Sequence, residues 1–252
     1  MKALDLFCGA GGAGMGLHRA GFDVTGVDLA RQKRYPFRFV QADALNPPFR
    51  LSDFDLIWAS PPCQSHTALK TMHSAKPHPN LVPATRAMLA ASGCAWIIEN
   101  VPGAPLISPV ILCGTMFGLG TADGEAELRR HRLFETSFTP PLVPRCQHGA
   151  PMVCGVVYGG HGRDRRRTIG NYGDGSWSNV SHARKRRSVG VYGHAGGRSV
   201  RDGTQQFTTQ QRREAMGIGW MTGNELSQAI PPAYSEYLGR QAMRVLLEEQ
   251  HE

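Results

Sequence analysis

No apolar run in this 252-residue chain approaches the ~18 residues that a membrane-spanning helix needs, so none is expected. An apolar signal region is also missing from the N-terminus, which enters a strand pattern at once, and a cytoplasmic, intracellular protein is expected. The six cysteines are irregularly spaced and in that compartment read as thiols rather than a disulfide framework. Acidic residues are short as well: 20 Asp and Glu against 28 Lys and Arg leave a net charge of +8, which favours a polyanionic partner. The rest is ordinary for a soluble protein, with 41% hydrophobic residues and a length that holds one large domain plus a small one.

The first third of the chain alternates strand and helix patterns. Ala3–Phe7 is a short apolar strand, and a glycine turn after it leads into a helix reaching Leu17–Ala20. Strands follow at Phe22–Val27, Phe37–Gln41 and Phe54–Ala59, then a helix near Thr85–Ser92 and the strand Ala95–Ile98. Acidic or reactive residues stand where these strands end: Asp28, Asp43, Cys63 and Glu99. Open parallel sheets place ligands there, so the expected fold is α/β with a doubly wound, mostly parallel sheet.

Composition changes after Phe138. Residues 139–206 are rich in Gly, Arg, Ser and His and contain a quasi-repeat, Val157-Tyr158-Gly159-Gly160 and Val191-Tyr192-Gly193-His194, which short β segments with glycine turns explain. Helical pattern resumes near Thr208. The last helix, Pro232–Glu249, is expected against the first strand. The chain therefore divides into a cofactor-binding and catalytic part (1–138), a small irregular β-rich region (139–206) and a helical return (207–252).

Three motifs carry chemistry. Gly9, Gly11 and Gly14 satisfy G-x-G-x-x-G directly after a strand, where glycines admit a ligand to the backbone and a helix start offers free N–H groups. With Asp28 suited to ribose hydroxyls, this turn fits a nicotinamide or an adenosyl cofactor equally. Ser60-Pro61-Pro62-Cys63-Gln64 holds one cysteine behind two prolines that fix its backbone. A thiolate there suits addition to C6 of a pyrimidine, which turns C5 into an enamine carbon able to take a methyl group. Glu99-Asn100-Val101 follows the apolar strand Ala95–Ile98, a setting that raises a carboxyl pKa and suits an acid acting at N3 of that ring.

Together these motifs resemble the DNA cytosine-5 methyltransferase family, and the resemblance implies a Rossmann-like fold and S-adenosylmethionine as cofactor, with S-adenosylhomocysteine as product. It carries the cofactor's methionine end onto Phe7, Gly9 and Gly11, the ribose role onto Asp28 and the adenine amine onto Asp43, with Leu29 and Ala44 beside them. Cys63 becomes the nucleophile and Glu99 the acid; Pro62, Gln64, Asn100 and Val101 line the substrate. Arg130 and Arg132 align with two arginines that contact the base carbonyl and brace the carboxylate, although Leu128 stands where the family has Gln. Near the C-terminus, Thr208–Ile218 departs at Gln211 and Glu214 from the family's Glu and Arg. Ser227–Pro232 places Gln228 where Asn is usual, and Gln228 and Ile230 are expected at the cofactor.

Residues 139–206, where members place their target-recognition domain, match no named pattern. Clustered arginines there, including Arg165 and Arg186, suit phosphate neutralisation and guanine reading, and Tyr158, Tyr172, Trp177 and Tyr192 suit contact with a duplex. The competing reading is a solvated basic loop. Cys146, His148, Cys154 and His161 do not follow a standard zinc spacing, so no metal is assigned. The expected protein is a monomeric methyltransferase acting on cytosine C5 in double-stranded DNA, with the base flipped out to reach Cys63. Three rivals stay open: a transfer-RNA methyltransferase of the same fold, a non-catalytic DNA-binding relative, and a nicotinamide oxidoreductase, which leaves Pro-Pro-Cys-Gln and Glu-Asn-Val unexplained.

Overall fold

Short apolar runs ending in acidic or glycine turns build a seven-stranded sheet in the computed structural model, which describes residues 1–66, 78–124, 126–146, 187–188 and 207–250. Its strands are β1 (Lys2–Leu6), β2 (Asp23–Asp28), β3 (Arg38–Gln41), β4 (Leu56–Ala59), β5 (Ala95–Asn100), β6 (Val110–Leu112) and β8 (Arg132–Thr136). They run in the order β3-β2-β1-β4-β5-β8-β6. Pairings among β1 to β5 are parallel, whereas β8 runs antiparallel to both β5 and β6. A separate two-residue pair joins β7 (Ala126–Glu127) to β9 (Arg187–Ser188). The expected mostly parallel α/β fold is observed.

The helices are α1 (Gly12–Arg19), α2 (Val82–Ala90), α3 (Thr209–Met216), α4 (Gly223–Gln228) and α5 (Pro232–Glu249). Ala3, Leu4 and Leu6 of β1 and all four residues of β4 are fully buried, the apolar pattern of strands covered on both faces, which the buried Asp5 interrupts in β1. The chain leaves β1 toward β2 and β3, then crosses back to β4 on the other side of β1. That reversal opens a crevice at the carboxyl ends of β1 and β4, where the glycine turn and the Pro-Pro-Cys turn both emerge.

α5 packs chiefly on α1 rather than on β1, where the sequence placed it. Leu17 and Phe22 meet Tyr234, Leu238 and Ala242 in one buried cluster, which Ala3 and Val24 share from the sheet. Gly16 makes the helix contact possible, because a Cβ there would collide with the Pro232 carbonyl and the Ser235 hydroxyl. Burying a Leu side chain such as Leu17 or Leu238 in this seam stabilises by roughly 1.5–3 kcal/mol. On the opposite face, Arg86 of α2 grips Glu135 of β8 through Nε at 2.6 Å and Nη2 at 2.7 Å, while Glu135 also accepts the Ile107 amide. No described helix is long and apolar enough to cross a membrane.

Arg165, Arg186, the quasi-repeat with its aromatics, His148, Cys154 and His161 lie outside the described residues.

Candidate active site

The glycine turn begins in an unusual backbone. Phe7 has φ 56°, Gly9 has φ 48° and Gly11 has φ 86°, a run of left-handed conformations that only a packed surround sustains at Phe7. Tyr35 supplies part of that surround. Its ring lies against Gly11, Gly14 and Gly26, and its hydroxyl donates to the buried Asp5 carboxylate at 3.1 Å. Burial pushes the Asp5 carboxyl well above its ordinary range, against the lowering effect of the Tyr35 bond. Trp220 closes the other side, donating its indole N–H to the Ala10 carbonyl at 2.8 Å. Neither Tyr35 nor Trp220 was singled out in the sequence, although three glycines that must abut one bulky side chain are a signal for Tyr35.

Asp28 ends β2 and organises the mouth of the turn. One carboxylate oxygen accepts the Gly9 amide at 3.0 Å, the other the Ala30 amide at 2.9 Å. Each oxygen keeps a second lone pair for a ligand hydroxyl. Leu29 beside it is 73% exposed, an apolar side chain open to a flat ring. Asp43 is exposed and accepts the Leu45 amide at 2.9 Å, a local turn cap that leaves its other oxygen open; Ala44 beside it is buried. A Cβ built on Gly9 meets nothing within 4 Å, so the turn borders open space. Backbone curvature, open space, an acid and an exposed apolar side chain therefore suit an adenosyl group at the strand ends. Ile230 is buried against Gly12, its carbonyl 2.6 Å from where a Cβ would stand, while Gln228 is exposed at the end of α4.

The Pro-Pro-Cys turn and the Glu-Asn-Val strand end are neighbours because β4 and β5 pair in parallel, with Ala59 opposite Ile98. The register brings Ser60 to Glu99, and their side chains hydrogen-bond. Trp58 fixes Ser60 from the other side through its indole N–H at 2.9 Å. Asn100 is 1% exposed and donates to the Pro61 carbonyl at 2.9 Å, while its own carbonyl accepts the Val101 amide at 2.9 Å. Cys63 is half-buried between exposed Pro62 and Gln64. The nearby Ser65 hydroxyl is buried and has no partner among the described residues.

Arg132, at the start of β8, brings its Nε to 3.2 Å from Glu99 Oε1. Burial raises the Glu99 carboxyl above its ordinary pKa, with Arg132, the Ser60 bond and Arg130 pulling the other way. Burial likewise raises the Cys63 thiol; Arg132 lowers it, Glu99 raises it and Arg130 lowers it. One thiol, one carboxyl and two guanidiniums thus share one electrostatic neighbourhood. Arg130 has a further duty: its Nη2 donates to the carbonyls of Ser227 and Ala229, each at 2.8 Å. Burial and Arg132 pull its guanidinium down to about 9, so it stays cationic at neutral pH. Arg130 thereby ties the strand-end chemistry to the C-terminal segment that closes over α1, and its carbonyl accepts the Tyr234 hydroxyl at 2.6 Å.

With this geometry in place, residues 1–105 match the family described as C-5 cytosine-specific DNA methylase. The matched span includes the glycine turn, Cys63 and Glu99-Asn100-Val101, the residues on which the family resemblance was read. Among solved structures, the Dnmt2 methyltransferase of S. pombe aligns over 100% of this chain and 99% of its own, at 13% identity and a TM-score of 0.51, which shows a shared fold. A 1,6-didemethyltoxoflavin-N1-methyltransferase from Burkholderia thailandensis, solved with S-adenosylhomocysteine, aligns over 44% of this chain and 48% of its own, at 18% identity and a TM-score of 0.30. For a SAM-dependent methyltransferase from Agrobacterium tumefaciens the shares are 40% and 38%, at 20% identity and a TM-score of 0.26. The chain thus spans about half or less of the length of those last two proteins. No curated protein matches the sequence.

Proposed function

With residues 1–105 matched to the C-5 cytosine-specific DNA methylases, we propose that the protein transfers a methyl group from S-adenosylmethionine to C5 of cytosine in double-stranded DNA. One observation carries this reading: Arg132 pairs with Glu99 at 3.2 Å while both act electrostatically on the Cys63 thiol. A nucleophile, an acid and a cation at adjoining strand ends are the set that a pyrimidine ring requires.

The cofactor, held by the Phe7–Gly11 turn, Asp28 and Leu29, supplies an electrophilic methyl group. The Cys63 thiolate adds to C6 of a flipped-out cytosine, forming the S–C6 bond as the C5=C6 electrons move toward N3. Glu99 hands its proton to N3 and is left as a carboxylate facing Arg132. C5, now the nucleophilic end of an enamine, takes the methyl group. Release of the C5 proton to solvent leaves its bonding electrons to re-form the C5=C6 double bond and expel the Cys63 thiolate, and N3 returns its proton to the Glu99 carboxylate. Arg130 and Arg132 hold the base carbonyl while Asn100 keeps the two motif turns in register. Residues 139–206 are assigned to target recognition, with Arg165 and Arg186 on the phosphates, residues 1–138 to cofactor and catalysis, and 207–252 to the return.

Transfer of a labelled methyl group from S-adenosylmethionine, with duplex DNA and transfer RNA offered in competition, tests this reading. 5-Methylcytosine in the DNA supports it. Label in the transfer RNA moves the substrate to RNA, and label in neither, with intact cofactor binding, makes the protein a non-catalytic binder.

A further inference from the structure

Cys113, His131 and Cys146 come together behind the arginine pair, their ligand atoms all within 4.8 Å of one another. From this cluster we infer a three-ligand zinc site that fastens His131, the residue between Arg130 and Arg132, to two other segments of the chain.

Pairing geometry accounts for the first two donors. β6 and β8 run antiparallel with Leu112 opposite Arg132, so the next step of the ladder sets Cys113 opposite His131. Side chains in such a pair share one face of the sheet, about 4.5–5.5 Å apart at Cβ. Alternation along the chain then turns His131 away from the face that Arg130 and Arg132 present. The third donor arrives by a loop. Tyr237 of α5 donates its hydroxyl to the Leu142 carbonyl at 2.6 Å, and from there the chain returns to put Cys146 Sγ 3.2 Å from His131 Nε2.

Donor type and spacing favour zinc. Tetrahedral zinc with bonds of about 2.3 Å to sulfur and 2.0–2.1 Å to nitrogen separates its donors by about 3.5–3.8 Å, within the span of this cluster. Neither cysteine is in a disulfide; Cys113 is fully buried and Cys146 half-buried. Two thiolates and a neutral imidazole around a divalent cation carry no net charge, which offsets the cost of burying the Cys113 thiolate. Thr115 provides an outer support, donating to Cys113 Sγ at 3.5 Å. A Cys2His set leaves the fourth position to water. The sequence assigned no metal because it sought ligands by spacing within residues 146–161, whereas two of these three ligands lie upstream and meet only through strand pairing.

Anaerobic titration of the metal-free full chain with cobalt(II), followed by zinc displacement, tests the site without any methyl transfer. One equivalent per chain with the strong visible bands of a tetrahedral ion and a thiolate charge-transfer band is the expected result. Cys146→Ser and His131→Gln, checked for folding by circular dichroism, should each weaken zinc by more than the ~10–100-fold that outer-shell substitutions cost. Cys94→Ser, which removes a thiol outside the cluster, should bind as the parent does. A weak octahedral spectrum, no stoichiometric uptake, variants that bind as the parent does, or a Cys113–Cys146 disulfide in the purified protein would overturn the inference.

Discussion

Asn100 donates its side-chain amide to the carbonyl of Pro61 at 2.9 Å, joining the strand end that carries the acid to the turn that carries the thiol. Both partners are buried, so the bond is protected from competing water. Asn100→Ala leaves the Pro61 carbonyl and the Val101 amide without partners and should cost about 1–3 kcal/mol of stability. Asn100→Asp should cost more, because a carboxylate cannot donate to that carbonyl. Urea denaturation of the three proteins measures the order.

Glu99→Gln keeps the side chain's shape and removes the proton it donates. Methyl transfer should fall by about 10²–10⁴-fold while cofactor affinity stays near that of the parent. Single-turnover rates and a separate binding titration distinguish the two effects. A rate within tenfold of the parent removes Glu99 from the chemistry.

The pH profile of kcat/KM follows from the two raised groups. Reaction needs Glu99 protonated and Cys63 ionised. Below the Glu99 pKa the thiolate fraction falls with falling pH, and above the Cys63 pKa the protonated acid runs out, so the profile is a bell. Its acidic limb lies above the ordinary ~4.3 of a glutamate, and its basic limb above the ordinary ~8.5 of a cysteine. In Glu99→Gln only the thiol titrates, so the rate should climb through neutral pH until Cys63 is ionised. A variant with the parent's acidic plateau contradicts the assignment.

Asp28→Ala removes the acceptor for the Gly9 and Ala30 amides along with the proposed ribose contact. Cofactor Kd should rise at least about tenfold, the scale of one or two charge-assisted bonds. At saturating cofactor kcat should change little. Isothermal titration and saturation kinetics together check both halves.

Leu238→Ala opens the α1–α5 seam, where Leu238 is fully buried. A loss of about 2–5 kcal/mol is expected by urea denaturation. Cofactor binding should survive in the folded fraction, because the seam lies behind the glycine turn.

Local pattern made the parallel half of the molecule legible. The runs at β1, β2, β4 and β5 are mostly apolar and lead into acids or into the glycine and proline turns, so both the elements and their ligand ends could be read directly. Cys63 and Glu99 stood out for the same reason: each sits at a strand end with a rigid or apolar approach. Contacts made across sequence distance were not legible. Arg130 holds the carbonyls of Ser227 and Ala229, Trp220 reaches Ala10, and α5 settles on α1 through Gly16; each depends on where the C-terminal segment returns. The Cys113–His131 pairing was hidden because an antiparallel register, not a spacing, creates it.

The most direct test uses duplex DNA carrying 5-fluorocytosine, incubated with the protein and S-adenosylmethionine. Fluorine at C5 cannot leave as a proton does, so the enzyme should stay covalently bound to the base, with mass spectrometry placing the adduct on Cys63. A Cys63→Ser protein that still produces 5-methylcytosine in ordinary DNA, or an adduct on any other residue, contradicts the account.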